Sequence, residues 1–412
     1  MTKNRRVRDM KGFPIRNRGV GWSTFDNDVL MPTAVLLQSA LLHNSALFAK
    51  YCKERQVSFA PHGKTTMSPE LFDIQLRDGA WAITAATVFQ ARTMIEHGVP
   101  RVLIANEVVA SGDVAWIAKV TRQGHEVLCC VDSLQSVKIL EAGLSRRLRG
   151  RKLSVLVELG VMEGRTGARN ISDALNVARA AFASPSLSLV GVSGFEGIIS
   201  ASQSETAEQR VDHFIKELRD LADAMIAEGL FDGISEILLS AGGSVFFNRV
   251  VANLRSKNPT IPERIIIRSG CYLSHDDGVI DELSPLGTSA LTSGDVFRAA
   301  LEVWGVVLSR PEPTRVIVGV GKRDVSTDGM LPIAKKILDH ERVKPHPWLT
   351  DERAVRVDDQ HTYLNVKVND EIAVGDLVGF GISHPCTTFD KWRAIPIVDD
   401  DYRVVAIANT KF

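Results

Sequence analysis

Between residues 35 and 275 the chain alternates two textures. Segments with apolar residues at spacings of three and four read as helices. The first covers 34–52, where Val35, Leu36, Leu41, Leu42, Leu47 and Phe48 recur. Between the helical segments lie eight short apolar runs, at 57–62, 81–87, 101–107, 126–133, 152–160, 187–197, 236–244 and 264–273. Continuous apolar runs alternating with helices indicate a parallel sheet with both faces covered. Eight in succession predict an α/β architecture, a TIM-like (β/α)8 barrel. An open doubly wound sheet is the alternative, because periodicity does not report closure. The longest interval holds a charged amphipathic helix at 205–229, with Leu218, Leu221, Ala222 and Met225 on one face.

After about residue 285 the texture changes. Runs at 303–309, 315–320, 355–358, 363–368, 374–380 and 401–407 read as short strands separated by turns. A helix signal stands at 333–338, and the polar, proline-containing stretch 322–360 reads as a long surface excursion. The predicted division is a barrel over 35–280 and a mainly antiparallel β domain over 281–412, which residues 1–34 join.

Composition narrows the function classes. The 412 residues carry zero formal net charge, which argues against a nucleic-acid binder that works by bulk positive charge. No apolar run reaches the roughly 18 residues of a membrane span. The basic opening (Lys3, Arg5, Arg6, Arg8, Lys11) is interrupted by Asp9 and lacks an amphipathic stripe, so it reads as a solvated terminus rather than a transit peptide. Five irregularly spaced cysteines do not form a disulfide framework, and a reducing cytoplasm suits them.

Candidate chemistry collects where the apolar runs end, since strand C-termini face the active site of such a barrel. Lys64, in Pro61-His62-Gly63-Lys64-Thr65, closes the first run. A buried ammonium is costly unless its pKa falls or it is consumed chemically, and such a lysine forms a Schiff base with an aldehyde cofactor. A lysine alone at this position reads equally as a loop residue. Gly242-Gly243-Ser244 follows the seventh run and precedes a helix, an arrangement whose backbone amides and hydroxyl suit an anion, and Gly270 and Tyr272 after the eighth run could complete the cup. Thr84, Asn106, Glu107, Glu158, Arg165, Glu196, Ser240 and Arg268 close other runs. Outside the barrel, His384-Pro385-Cys386 sets imidazole and thiolate two residues apart on a segment read as extended. Both are good zinc ligands, and thiolate softness favours zinc over magnesium or manganese. A core cysteine beside a loop histidine is the plainer reading. The other four cysteines read as small core residues.

Together, Pro61-His62-Gly63-Lys64-Thr65, Gly164-Arg165-Thr166-Gly167, Arg268-Ser269-Gly270-Cys271-Tyr272 and the run from Ser383 to Trp392 resemble the D-serine dehydratase/D-threonine aldolase family, fold type III pyridoxal-phosphate enzymes built like alanine racemase. The resemblance spans essentially the whole chain. It is strongest to bacterial members known as amino acid deaminases, or low-specificity D-serine dehydratases. It implies pyridoxal 5'-phosphate on Lys64, with His62 orienting Lys64 or touching the cofactor. It implies Arg165 at the cofactor ring and Gly242, Ser244, Gly270 and Tyr272 at its phosphate. It also implies a homodimer, and a metal on His384 and Cys386 beside the substrate's β-hydroxyl. Aldolase members commonly carry an aspartate where this chain has Cys386. That departure tilts the expectation to Zn2+ and to dehydration of D-serine or D-threonine into a 2-oxo acid and ammonia. The alternatives are a metal-dependent aldolase giving glycine and an aldehyde, a dehydratase for a narrower hydroxyamino acid such as 3-hydroxyaspartate, and a non-catalytic cofactor carrier.

Overall fold

The computed structural model describes residues 10–16, 19–145, 147–289, 295–339, 342–345 and 354–412. Most of the basic opening stretch and part of the 322–360 excursion lie outside the described residues. The chain forms two compact units. One comprises Ala49–Lys64 and Gln75–Gly270, the other the described residues of 1–48, 65–74 and 271–412. Among the described residues no helix is long and apolar enough to cross a membrane.

Strand β1 (Thr33–Leu37) runs directly into the helix Gln38–Glu54. The periodicity predicts helix from residue 34, but Thr33, Ala34, Val35 and Leu36 are all buried. The strand lies between two others in a sheet, antiparallel to one and parallel to the other. A strand covered on both faces loses the alternation that would reveal it.

The first unit is the TIM-like barrel. Its eight parallel strands are β2 (Ser58–Phe59), β3 (Ile83–Ala85), β4 (Arg101–Glu107), β5 (Glu126–Val131), β6 (Leu153–Leu159), β7 (Leu187–Gly194), β8 (Ile237–Ala241) and β9 (Glu263–Ile267). Their order is β2-β9-β8-β7-β6-β5-β4-β3, one strand for each predicted run. The edges β2 and β3 are joined by backbone. Trp81 N donates to Phe59 O at 2.8 Å and Thr84 N to Pro61 O at 2.8 Å, and His62 and Thr84 form a parallel bridge. Thr84 Oγ1 adds a bond to Ala60 O at 2.6 Å. The interior is filled by Ala60, Ala82, Leu103, Leu128, Leu156, Leu238 and Ile266, with Trp81 and Val190 packed against them. The predicted amphipathic helix is Ala207–Ala227, and Leu218, Leu221, Ala222 and Met225 are indeed its buried side.

The second unit is a mainly antiparallel sheet. Its remaining strands are β10 (Leu301–Glu312), β11 (Arg315–Val318), β12 (Ile333–Asp339), β13 (Arg342–Pro345), β14 (Arg356–Val357), β15 (Thr362–Asn365), β16 (Leu377–Gly381), β17 (Ala394–Val398) and β18 (Val404–Asn409). The main order is β13-β12-β16-β10-β1-β17-β18, with β11, β15 and β14 continuing from β10. The helix expected at 333–338 is strand β12. A register shift between Ala334 and Lys336 inserts an extra residue, so the buried positions Ala334 and Ile337 are three apart and imitate a helical period.

A buried carboxylate network ties this sheet together. Glu302 on β10 accepts from Trp304 Nε1 at 3.0 Å, Tyr402 OH at 2.9 Å and Lys336 Nζ at 2.5 Å. Tyr402 is pushed above the ordinary phenol pKa by burial first and by the Glu302 charge second. Glu302→Ala leaves Lys336 facing a pocket with no counter-charge from this network. Stability is expected to fall by about 3 kcal/mol, the lower end for breaking a buried pair, measured by urea unfolding of both proteins.

Candidate active site

Within the barrel unit, a cavity of about 210 Å³ is lined by His62, Lys64, Asn106, Glu158, Arg165, Phe195, Gly242, Gly243 and Arg268, among others. It lies at the strand ends, where a barrel of this type carries its chemistry. A larger cavity of about 600 Å³ is lined by Arg101, Glu126, Lys152 and Glu236, near the starts of their strands. That end of a barrel serves stability, and ion pairs such as Arg264–Glu236 at 2.6 Å occupy it.

Lys64 stands in a 3-10 turn, Gly63–Thr65, and is half-buried rather than sealed inside a strand end. Its amine therefore reaches the cavity without the full desolvation cost expected from the sequence. His62, two residues earlier, keeps an accessible edge while its Nδ1 is buried without a hydrogen-bond partner. Burial first, and then the positive charges of Lys64, Arg268 and Arg165, hold its pKa well below the ordinary imidazole value. The ring is neutral at physiological pH. Arg268, at the end of β9, is 6% exposed and donates to Ser240 Oγ at 2.7 Å, Ser193 Oγ at 3.1 Å and Gly194 O at 2.7 Å. These acceptors fix the guanidinium without neutralising it. Arg165 is exposed and lies over the Phe195 ring, 4.4 Å from its centroid.

The Gly242-Gly243 turn binds an oxyanion in this structure. Glu196, fully buried, accepts from Gly242 N at 2.9 Å and from Gly243 N at 2.5 Å. Gly242 has a φ of +94°, which a side chain rarely adopts. A Cβ on Gly243 would come within 3.0 Å of the Phe195 ring and 3.4 Å of Glu196 Oε1. An amine, a fixed guanidinium and an amide pair already holding a carboxylate fit a phosphorylated aldehyde cofactor. Ser244 and Gly270 belong to the same unit but do not line the cavity among the described residues. Tyr272 belongs to the other unit, where it is buried and stacked on Phe48 with ring centroids 4.3 Å apart.

Glu107 ends β4, and Glu158 stands on β6 across the intervening β5. Both Glu107 oxygens and Glu158 Oε2 are buried without other partners. Burial, then the hydrogen bond with Glu158 and its charge, then the charge of Asp132, push Glu107 up to about 9. The pair therefore holds a proton at neutral pH. The unfolded chain releases that proton above the ordinary carboxyl pKa, so this group makes stability fall as pH rises from about 4.5 to 9. Glu107→Gln is expected to remove that slope, which is at most about 1.4 kcal/mol per pH unit for one proton, as read from denaturation midpoints across that range.

In the second unit, Cys386 opens a short helix, Cys386–Phe389, and His384 adopts a φ of +58°. The extended segment expected here is instead a turn into a helix. His384 N donates to Asp276 Oδ2 at 3.1 Å, which holds the turn, and His384 Nδ1 bonds Asp328 Oδ2 at 2.7 Å. Cys386 Sγ lies 3.6 Å from Cys271 Sγ and 3.3 Å from Thr65 Oγ1. The hydrogen bond from Cys271 holds Cys386 well below the ordinary thiol pKa against the opposing effect of burial, with His384 and Thr65 adding to it. Conversely, Cys386 raises His384 to about 9, with Asp328 contributing. Thiolate and imidazole form a donor set that fits zinc, although no three His, Cys, Asp or Glu side chains among the described residues already surround one point. Cys271, expected to be a plain core residue, is a thiol partner instead. Asp328 and Thr65 carry no sequence signal for this role, because their partners are far away in the chain.

These features define a class: an alanine-racemase-like fold, with a parallel barrel carrying the lysine and a separate, mainly antiparallel β unit carrying the thiolate–imidazole pair. The alanine racemase N-terminal domain model matches residues 38–233, and the model described as "Putative serine dehydratase domain" matches residues 300–398. The two matches and the relatives below liken the chain to the D-serine dehydratase/D-threonine aldolase group of pyridoxal-phosphate enzymes. It is 26% identical over 350 residues, 84% of each chain, to the 3-hydroxy-D-aspartate aldolase of Paracoccus denitrificans (strain Pd 1222). D-threonine aldolase from Filomicrobium marinum shares the fold with a TM-score of 0.76 at 20% identity, covering 96% of this chain and 98% of that one. D-threo-3-hydroxyaspartate dehydratase from Delftia sp. HT23 does so with a TM-score of 0.70 at 18% identity, covering 92% and 97%.

Proposed function

We propose that this protein is a zinc-dependent ammonia-lyase that converts D-3-hydroxyamino acids such as D-serine and D-threonine into a 2-oxo acid and ammonia. The observation that carries the reading is the Cys386 thiolate, set against His384 and a second sulfur. Softer donors than a carboxylate select zinc. Pyridoxal phosphate, when bound, withdraws the electron pair left at Cα. His384 and Cys386 would hold the zinc, which would supply Lewis acidity toward the substrate's β-hydroxyl.

The protein's own groups have the following roles. Lys64 Nζ would hold the cofactor through its aldehyde and would be the base that takes the substrate's α-proton. His62, neutral and short of a partner at Nδ1, accepts hydrogen bonds without adding charge beside that amine. Arg268 and Arg165, which line the cavity, would face the cofactor as positive charges. Gly242, with Ser244 and Gly270 of the same unit, would hold the phosphate. Cysteine sulfurs 3.6 Å apart that are not joined in a disulfide suit a reducing cytoplasm, and a homodimer is our reading of the active species from the family resemblance.

Aldol cleavage to glycine and an aldehyde is the second reading, because the Paracoccus relative is an aldolase and the Delftia neighbour a dehydratase. A product assay separates the two. Protein loaded with pyridoxal phosphate and zinc is offered D-threonine. 2-Oxobutanoate with ammonia is expected, whereas glycine with acetaldehyde would replace the dehydratase by an aldolase. Lys64→Ala is expected to lose the absorbance of the bound cofactor and at least about 10²-fold in turnover. Cys386→Ala is expected to keep the absorbance while losing most dehydration. Full activity of that variant without metal would remove zinc from the mechanism.

A further inference from the structure

His384 and Cys386 supply two protein ligands, yet catalytic zinc sites use three and leave the fourth position to water or substrate. A third protein donor would complete that usual set, and the second unit holds a candidate. Cys271 Sγ stands 3.6 Å from Cys386 Sγ. Two thiolates on one tetrahedral zinc, each at about 2.3 Å, stand about 3.8 Å apart. A disulfide would bring them to about 2.05 Å, and neither cysteine is in a disulfide. The spacing of this thiol–thiolate contact is also one that two sulfurs sharing a metal would keep.

The other nearby donors have different work. Asp328 Oδ2 holds His384 Nδ1, and Asp328 Oδ1 lies 3.2 Å from Thr387 Oγ1 and also bonds Ser326 Oγ. A carboxylate on one ring nitrogen orients an imidazole so that Nε2 is left for a metal. Thr65 Oγ1 lies 3.3 Å from Cys386 Sγ and 3.9 Å from Cys271 Sγ, which suits a hydroxyl donating to thiolate sulfur.

We propose that Cys271 is the third protein ligand, making the metal centre a Cys271–Cys386–His384 set with one open position. This rests on the metal reading of His384 and Cys386 given above. The side chains do not yet surround one point, so the three residues would hold the ion only after the side chains shift toward one another. Binding Zn2+ would release one thiol proton, from Cys271, and the imidazolium proton to solvent, leaving two thiolates and a neutral ring as ligands. Two thiolates cancel the charge of the ion, so the centre holds zinc firmly while polarising the hydroxyl more gently than a carboxylate site would.

Zinc K-edge X-ray absorption on the full-length protein, loaded with zinc alone and again with pyridoxal phosphate, counts the sulfurs directly. Two sulfurs at about 2.3 Å are expected. One sulfur with retained zinc would overturn the assignment of Cys271 while leaving the metal on His384 and Cys386. Failure to retain zinc against a chelator would overturn both. Cys271→Ser should lower the count from two to one and weaken zinc in chelator competition by roughly tenfold or more. Cys52→Ser, at a buried cysteine elsewhere, should leave both readings unchanged. Circular dichroism confirms that each variant is folded, and the wild-type sulfur count decides the matter if Cys271→Ser is not.

Discussion

An eight-stranded parallel sheet has two edges of unpaired amides and carbonyls, and the candidate active site depends on how those edges meet. They meet through the short strand β2 and the residues that continue it. Phe59 and Pro61 accept from Trp81 and Thr84, and Thr84 spends its hydroxyl on Ala60. The segment that seals the barrel is therefore the one that delivers His62 and Lys64. The seam must be regular through His62, because the His62–Thr84 bridge is its last contact, and then release the chain at once into the Gly63–Thr65 turn. The lysine gains a fixed origin without being locked into the ladder.

Electrostatics in the barrel follow from the same placement. Three cations, Lys64, Arg165 and Arg268, surround a small cavity whose wall also holds Glu158. The protein keeps this arrangement tolerable by removing ionisations rather than by pairing charges. His62 is neutral because burial and the cations disfavour its proton. Glu107 keeps its proton because burial and the neighbouring Glu158 disfavour its ionisation. What remains is a net positive pocket for an anionic ligand, with neutral hydrogen-bonding groups at its rim. The other unit uses the opposite device, pairing thiolate with imidazolium around Cys386 and His384.

The barrel was legible because each of its strands is a continuous apolar run and each helix is amphipathic. Lys64, Arg165, Gly242, His384 and Cys386 were legible because short motifs surround them. The second unit was less so. β1 hides beside the helix Gln38–Glu54 because its residues are apolar on both faces, and β12 imitates a helix because a bulge resets its alternation. Within the site, Cys271 was missed because it meets Cys386 across more than a hundred positions of chain, and a lone cysteine carries no spacing to read. Asp328 was missed for the same reason, and Glu196 showed only as a polar residue at a strand end. Sequence reveals groups that are neighbours along the chain, and each of these acts on a group that is a neighbour only after folding.

Glu196 carries one more consequence. Its carboxylate already fills the amide pair of Gly242 and Gly243, so those amides have no thirst to quench when the barrel first forms. The chain can fold with this loop in its final conformation before any ligand arrives. An incoming oxyanion that takes these amides does so by exchange, evicting a tethered competitor that waits at high local concentration. The occupancy of such a cradle is then governed by the difference between two anions rather than by the strength of either, and the loop is never empty in between.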